Sequence, residues 1–283
     1  MAVIGSTEIS AAQQALVSNV VLETLKEKSM LLPTISDYSG QADASASKIS
    51  IPRVNQFSAA DKAENTELTS QAMTVSVDDL TFDKHKAIFV ELEDRARFSA
   101  VDIEAEILKE QARELALQVD KDILFGLKSV SSSAPDHLLD YTDASGNVLA
   151  LEDILVARQK LREAQFDFSD DNYFLIISPE KEKEMLSISN FIKANEFGNS
   201  NPLLRAEIGR VFGMRVMVNH LLAADEVVAY HKSHVAYAAQ AAPKAERDRN
   251  LKNLADQFSI QMLYGVKTLR GGVGGVFFNG SGS

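Results

Sequence analysis

The sequence lacks several residue types and patterns, and each absence removes a class of function. None of its 283 residues is cysteine, which excludes disulfides, thiolate nucleophiles and cysteine-ligated zinc or iron–sulfur centres. Tryptophan is absent, and aromatic residues make up only 7% of the chain. No apolar run approaches the ~20 residues of a membrane span. Because the first residues also lack the pattern of a secretory signal, we expect a soluble protein that stays in a cytoplasm.

The charge balance is acidic. Lysine and arginine total 29 and aspartate and glutamate total 40, which gives a formal net charge of −11. Such a surface repels phosphate backbones, so dedicated nucleic-acid binding is disfavoured, although an acidic wall can still face packed nucleic acid. The hydrophobic content of 45% is ordinary for a globular protein and suffices for a sizeable core.

A polar segment, residues 55–67, separates two stretches in which apolar residues alternate with polar ones. The alternating apolar residues are Ile49 and Ile51 before the segment, and Met73, Val75 and Val77 after it. Two such strands with a long polar tip predict a projecting hairpin. Since a hairpin without a core of its own usually packs on another molecule, this segment points to assembly.

Three further expectations concern the chain around the hairpin. Residues 36–47 are rich in Ser, Ala and Gly and predict a flexible connection. After Val77 the apolar residues move to even positions, which predicts a bulge at Asp78 and Asp79. Residues 87–90 are apolar at consecutive positions and predict a strand that is buried on both faces.

Residues 102–127 predict one long amphipathic helix. Its apolar stripe consists of Ile103, Ile107, Leu108, Leu115, Val119 and Ile123. At ~1.5 Å per residue, its roughly 26 positions form a rod of about 39 Å, whereas a typical helix has about 11–12 residues. The opposite face is expected to remain in water. It carries Glu110, Arg113, Glu114 and Asp120.

The rest of the chain predicts a mixed α/β arrangement. Helices are predicted for residues 10–28, for residues 151–164 and after Ser178, which can cap a helix that begins with Pro179. Residues 197–201 and the highly charged residues 242–253 are predicted to be loops, the second of them exposed. Strands are predicted at 173–177, 214–218, 227–230, 235–239, 258–266 and 276–278.

The candidate chemical motifs fail on inspection. His231 and His234 lack a third metal ligand and are interpreted as solvent-facing turn residues. The glycines between 271 and 275 are followed by neither Gly-Lys-Ser/Thr nor a helix, which excludes a phosphate-binding loop and a dinucleotide-binding turn. Glu106 and Glu110 share a helix face but lie on its wet side. We therefore expect no catalytic, cofactor-binding or metal site.

The order of these elements resembles the major capsid proteins of tailed bacteriophages, which have the Hong Kong 97 fold. Ile51-Pro52-Arg53 leading to Glu64, Asn65 and Glu67 is similar to the extended loop of that family. Residues 102–126, which end in a glycine, resemble its spine helix, and residues 208–216 resemble a G-x-x-x-G-x-x-V strand entry. Tyr264-Gly265-Val266 is similar to its closing strand. The resemblance covers nearly the whole chain.

The resemblance implies an α+β fold with a defined domain plan. The N-terminal arm is residues 1–40 and the extended β-hairpin loop is residues 41–85. The peripheral domain is residues 86–130 and 236–283 and contains the spine helix at 102–127. The axial domain is residues 131–235.

The resemblance also implies a function. It predicts a structural head protein, not an enzyme, that self-assembles from hexamers and pentamers into an icosahedral shell around the phage genome. The expected location is the virion, after assembly in the host cytoplasm. Separate scaffolding, portal and cement or decoration proteins are the further partners, DNA contact is non-specific, and no membrane or cofactor is involved. The expected inter-subunit contacts are Arg53, Phe57, Asp61, Lys62, Glu64, Glu67, Glu110, Arg113 and Glu114.

Two alternatives remain open at this point. An encapsulin-type nanocompartment has the same fold but encloses cargo protein in place of DNA. A soluble α/β enzyme with an unrecognised site belongs to a different class. Particles of megadalton size would distinguish either shell from a small oligomer with turnover.

Overall fold

The computed structural model describes much of the chain between residues 29 and 280. It leaves out 43–46, 55–56, 58, 60, 63, 66, 68–69, 95–102, 134–135, 143–146, 167, 169–170, 189–208 and 242 within that span. The helix predicted for residues 10–28 and the loop predicted for residues 197–201 therefore lie outside the described residues.

Three α-helices and thirteen β-strands make up the described part. The helices are α1 (Ile103–Lys128), α2 (Leu151–Glu163) and α3 (Pro179–Ser187). The strands are β1 (Ser36–Asp37), β2 (Lys48–Val54), β3 (Val75–Thr81), β4 (Lys84–Glu93), β5 (Leu138–Leu139), β6 (Tyr173–Ile177), β7 (Arg210–Val211), β8 (Met214–Val218), β9 (Glu226–His231), β10 (Val235–Ala239), β11 (Lys244–Asn250), β12 (Ala255–Thr268) and β13 (Gly275–Asn279).

These strands form three sheets. The first has the order β1-β10-β12-β11, with β4 also paired to β12. The second has six strands in the order β5-β13-β9-β6-β8-β7. The third is the two-stranded ribbon of β2 and β3. Strand β12, with 14 residues, is the hub of the first sheet because its antiparallel neighbours are β4 on one side and β10 and β11 on the other.

Helix α1 lies in the core between the first and second sheets. Its apolar stripe, which includes Leu115, Val119 and Ile123, is buried in one cluster with residues of both sheets. Helices α2 and α3 contribute to a second cluster with the other face of the six-stranded sheet. Burial on both faces explains why β6 is apolar at all five positions.

Several predicted elements are confirmed nearly to the residue. Helix α1 begins and ends within one residue of its predicted bounds, β6 occupies residues 173–177, and α2 ends one residue before its predicted end. Ser178 caps α3 by accepting from Lys181 N at 3.3 Å, with Pro179 in the first turn. The predicted closing strand is present as β12 and is longer than predicted.

The bulge predicted at Asp78 and Asp79 is wrong. The antiparallel register of β2 and β3 runs without interruption from Lys48 opposite Thr81 to Val54 opposite Val75. The apolar residues change position because the ribbon is apolar on one face near its base and on the other face towards its tip. A sequence pattern cannot separate such a change of face from an inserted residue.

The prediction that residues 87–90 form a strand buried on both faces is also wrong. Burial alternates along β4, and the Phe89 side chain is 60% exposed. Ile88 packs against the cluster that contains α1. Helix α1 packs on one face of β4, and among the described residues the opposite face is open at Phe89.

Residues 242–253 do not form the exposed loop that their charge predicts. Residues 244–250 are strand β11, which pairs with β12 along its whole length. Arg249 binds Asp94 at 2.6 Å and Asp256 at 3.1 Å, and Arg247 binds Asp256 at 2.9 Å. An edge strand tolerates this many charges because its ion pairs and one open side keep them solvated.

The flexible connection predicted for residues 36–47 is wrong for its described first half. Strand β1 pairs with β10, and Tyr38 N donates to Tyr237 O at 2.8 Å. Ala239 N donates to Ser39 Oγ at 2.9 Å. Small polar residues here form hydrogen bonds with a sheet edge, which their composition alone does not predict.

Gly126 does not end the long helix. Helix α1 continues through it to Lys128. A Cβ atom at Gly126 would lie 3.1 Å from Val266 Cγ1 and 3.6 Å from both Val235 methyl groups. The glycine therefore allows α1 to approach the first sheet closely, and does not act as a cap.

Candidate assembly interface

The base of the β2–β3 ribbon is anchored to the first sheet. Ile49 and Leu80 lie opposite each other in the register and are buried with Ala236, Ala238 and Leu269. Gly265 of β12 lies against Thr81, where a Cβ atom would be only 2.2 Å from the Thr81 carbonyl oxygen. This close backbone approach fixes the direction in which the ribbon leaves the subunit.

Polar contacts hold the other face of the ribbon near its base. Asp79 accepts hydrogen bonds from Lys48 Nζ and Ser50 Oγ, both at 2.7 Å. These bonds, of which the lysine bond is the stronger influence, lower the pKa of the Asp79 carboxyl below its usual value. Since the group is solvated, the ion pair fixes register more than it adds stability.

Beyond its base, the ribbon presents an apolar face to solvent. Pro52 lies opposite Val77, and Val54 lies opposite Val75, so the four side chains share one face. Val54, Val75 and Val77 are 50%, 44% and 52% exposed, and Pro52 is also exposed. We name these four residues the distal face. On the opposite side, Arg53 Nε donates to Ser76 Oγ at 3.2 Å.

The tip residues expected to make contacts are exposed where they are described. Phe57 is 57% exposed. The charged members of this group are Asp61, Lys62, Glu64 and Glu67, all exposed. An exposed phenylalanine next to an exposed apolar face is typical of a surface that is covered in an assembly.

The three helix residues expected to make contacts also lie in solvent. Glu110, Arg113 and Glu114 are exposed on one side of α1, and Arg113 Nη1 lies 3.5 Å from Glu110 Oε1. Within the described part of the chain, no hydrogen bond or ion pair joins these helix residues to the hairpin residues Arg53, Phe57, Asp61, Lys62, Glu64 and Glu67.

The prediction that Asp120 lies on this wet face is wrong. It is buried and accepts hydrogen bonds from Ser29 Oγ, Met30 N and Leu31 N. Burial raises the pKa of its carboxyl, although the three donors act in the opposite direction. The helix periodicity places Asp120 near the boundary of the apolar stripe, and the segment at residues 29–31 covers that boundary.

The interpretation of His231 and His234 as solvent-facing is wrong. His234 is buried and lies 3.2 Å through Nε2 from the Leu127 carbonyl oxygen. His231 is half-buried, and its Nδ1 accepts from Ser233 N at 3.2 Å. Among the described residues, no group of three His, Asp or Glu side chains is arranged to hold a metal ion.

The four residues of the distal face are not recognisable as one surface from the sequence alone. The alternation of Val75 and Val77 was visible, and a proline within a strand indicates an edge. The side on which these residues project depends on the pairing of Pro52 with Val77, which follows from the register alone. The sequence therefore shows the alternation of these residues, but it does not show the face of the ribbon on which they lie.

A family model described as phage capsid protein matches residues 78–274. The chain belongs to the phage capsid protein family. As a member of that family it is a structural protein of the phage head and is located in the virion. The match includes most of β3 and all of α1, β4 and β12, the elements that carry the anchored base and the exposed helix residues.

Solved structures share the capsid fold. The Mycobacterium phage Che8 structure has a TM-score of 0.72 and 22% identity, covering 90% of this chain and 92% of that one. The capsid asymmetric unit of cyanophage Pam1 has a TM-score of 0.75 and 16% identity, covering 90% and 93%. A virus-like particle from Pyrococcus furiosus has a TM-score of 0.62 and 11% identity, covering 94% and 99%. The α+β capsid fold expected from the order of elements is thus confirmed.

One further comparison and one property of the helices concern this capsid protein. A search of curated protein sequences returned no match. Within the described residues, no helix has the length and apolar character needed to cross a membrane.

Proposed function

We propose that this capsid protein forms a closed icosahedral shell of hexamers and pentamers around the phage genome, with the distal face of each hairpin packed on a neighbouring subunit. The observation that carries the proposal is the position of Pro52, Val54, Val75 and Val77 on one exposed face. Half-exposed valines in a row are unfavourable in water and become stabilising when covered.

The proposed cover is another subunit because, among the described residues, the distal face is turned away from the core of its own subunit. Ile49 and Leu80, on the opposite face, are already buried at the base. Removing a valine side chain from water contributes about 1 kcal/mol when half of it was already buried. One hairpin therefore binds weakly, but a shell repeats the contact in every subunit, and multivalency makes the sum large.

Helix α1 of the neighbour is the proposed receiving surface. Glu110 and Arg113 form an exposed pair, and such pairs contribute little to the stability of a single subunit. Arg113 is therefore available to an acidic partner. The hairpin tip, with Asp61, Glu64 and Glu67 against Lys62, is acidic overall, so its charge complements that arginine.

The domain plan and the remaining partners complete the proposal. Residues 131–235 form the axial domain around the five- and six-fold axes, together with β13, which pairs with β5 and β9. Residues 86–130 and the rest of 236–283 form the peripheral domain. The net charge of −11 keeps free subunits apart until assembly is directed in the host cytoplasm. Separate scaffolding, portal and cement proteins are the proposed partners, and packaged DNA contacts the shell without sequence preference.

A matched pair of variants tests the hairpin contact. Val77→Asp places a charge on the distal face, and Ser76→Asp places the same charge one residue away on the opposite face. We expect Val77→Asp to give folded subunits that do not form particles, and Ser76→Asp to assemble as the wild type does. Size-exclusion chromatography with light scattering measures both. Equal particle yields from Val77→Asp and the wild type would show that the distal face is not an interface.

A protein-filled compartment is the second candidate, favoured by the fold shared with the Pyrococcus furiosus virus-like particle. The two shells differ in their contents. We expect particles from infected cells to contain nuclease-protected DNA. Particles that contain a stoichiometric cargo protein and no DNA support the compartment.

A further inference from the structure

Two fully buried histidines meet at the junction of α1 with the first and second sheets. His137 lies in the segment between α1 and β5, and His234 lies in the turn between β9 and β10. Backbone bonds tie His137 to β13 and His234 to Leu269, the residue that follows β12. Phe277 N donates to His137 O at 3.0 Å, and Leu269 N donates to His234 O at 2.8 Å.

Each ring has a carbonyl oxygen as its partner. His137 Nδ1 lies 2.9 Å from Gly275 O, and His234 Nε2 lies 3.2 Å from Leu127 O. A carbonyl oxygen only accepts, so each of these nitrogens carries the proton when the ring is neutral. The neutral tautomers are therefore determined by the fold.

The second nitrogen of each ring is buried without a partner among the described residues. These atoms are His137 Nε2 and His234 Nδ1. In a neutral ring such a nitrogen is an unused acceptor. Once protonated, it becomes a buried N–H donor that lacks an acceptor and carries part of a positive charge, which is far more costly.

The connection between β12 and β13 packs closely against His234 and against the segment after α1. A Cβ atom on Gly275 would lie 2.6 Å from His234 Nε2, and one on Gly274 would lie 3.2 Å from His234 Cα. A Cβ atom on Gly272 would lie 2.8 Å from Ser131 N. The glycines thus let the connection to β13 pass directly against the imidazole and against the segment after α1.

The charged groups near the two histidines do not offset the cost of protonating both rings. Burial lowers the pKa of His137 and Lys160 adds to the decrease, and together they outweigh the Gly275 carbonyl, Asp136 and Glu163, which favour the cation. Burial also lowers the pKa of His234 to about 4, against the Leu127 carbonyl, and His137 adds to the decrease.

We infer that His137 and His234 form an acid-sensitive latch, which holds α1 and the two sheets together while both rings are neutral and loosens their junction when the rings are protonated. The latch is a property of the single subunit. Its consequence for a particle, loosening of the shell in acid, rests on the proposed function.

The direction of the pH dependence follows from the lowered pKa values. In the unfolded chain a histidine titrates near 6.5. Between that value and about 4 the unfolded chain binds a proton that the folded His234 does not bind. The stabilisation is therefore complete above pH 6.5, decreases as the pH falls towards 4, and changes no further below that.

Two variants keep the required donor and remove the titration. Asn in place of His137 presents an amide N–H near the Nδ1 position, and Gln in place of His234 presents one near Nε2. From pH 7 to pH 4.5, the unfolding constant of the wild type should rise on the order of 50-fold more than that of His234→Gln. His85→Gln, which removes an exposed histidine outside the junction, is the control and should follow the wild type. Urea unfolding of unassembled subunits gives these constants.

A second measurement does not depend on the variants folding. Hydrogen–deuterium exchange at the imidazole C2 position, followed by mass spectrometry, reports the titration of each histidine in the wild type. We expect His234 to titrate near pH 4 and His137 to titrate below the ordinary histidine value. Titration of both near 6.5, or identical pH dependence in His234→Gln and wild type, overturns the latch. Because both experiments use unassembled subunits, their outcome is separate from whether shells form.

Discussion

The carboxylate of Asp120 accepts a 2.5 Å hydrogen bond from the hydroxyl of Ser29, which precedes it by 91 residues. Met30 N and Leu31 N donate to the same carboxylate. The neighbouring Leu31 and Ile35 side chains are buried in the α1 cluster. One helix residue therefore anchors residues 29–31 to α1.

Replacing this carboxylate tests the anchor. Asp120→Ala leaves the hydroxyl of Ser29 and two backbone donors without their acceptor, so we expect a loss of about 1–3 kcal/mol in the free energy of unfolding. Urea unfolding measures the loss, and amide exchange of residues 29–32 should increase. Glu114→Ala, an exposed change on the same helix, is the control and should stay within about 0.5 kcal/mol. Equal stability of both variants would contradict the anchor.

The close approach of the hairpin base to β12 is tested at Gly265. Gly265→Ala places a Cβ atom 2.2 Å from the Thr81 carbonyl oxygen, so backbone must move. We expect a loss of at least about 2 kcal/mol in unfolding free energy, because neither strand can yield easily. Gly40→Ala is the control, since a Cβ atom there meets nothing within 4 Å. Thermal unfolding of both variants gives the comparison, and a Gly265→Ala protein as stable as Gly40→Ala would refute the close contact.

A replacement of equal length separates the effect of the side chains at the hairpin tip from the effect of hairpin length. Replacing residues 57–65 by a Gly-Ser segment of equal length keeps the reach but removes Phe57, Asp61, Lys62 and Glu64. We expect folded subunits with unchanged unfolding free energy and a lower yield or stability of particles. Guanidinium titration of particles followed by light scattering measures this. Particles as stable as the wild type would show that the tip makes no contact.

The receiving helix is tested by charge reversal. Arg113→Glu removes the exposed cation and should change subunit stability by less than about 1 kcal/mol, because its pair with Glu110 is solvated. We expect assembly to slow, most strongly at low salt, where charges are least screened. Adding Glu64→Arg should restore part of the rate if the two residues meet across subunits. Unchanged assembly kinetics of Arg113→Glu at low salt would remove α1 as the receiving surface.

The periodicity of apolar residues predicted the helices and strands whose buried faces follow a regular pattern. Helix α1 and strands β6 and β12 each have an apolar pattern that matches the face they bury. Strand β11 was missed because its sequence, Lys-Ala-Glu-Arg-Asp-Arg-Asn, has almost no apolar signal. Strand β11 pairs with β12 and forms ion pairs with Asp94 and Asp256. A local pattern of apolar residues does not reveal these contacts.

The candidate interface shows a similar limit. The existence of the hairpin followed from alternation, and its base and strands are confirmed. The exposed direction of Val77 followed only from its pairing with Pro52, and the burial of Asp120 and His234 followed from segments far away in the chain. Sequence patterns report local faces, whereas these residues are placed by long-range contacts.

A cryo-electron microscopy reconstruction of the assembled particle tests most directly whether the distal face packs on a neighbouring subunit. We expect a closed icosahedral shell in which Val54, Val75 and Val77 lie within van der Waals contact of a neighbouring subunit, with the hairpin tip over its α1. A protein that stays a small oligomer, or a shell in which the distal face remains in solvent, would contradict it.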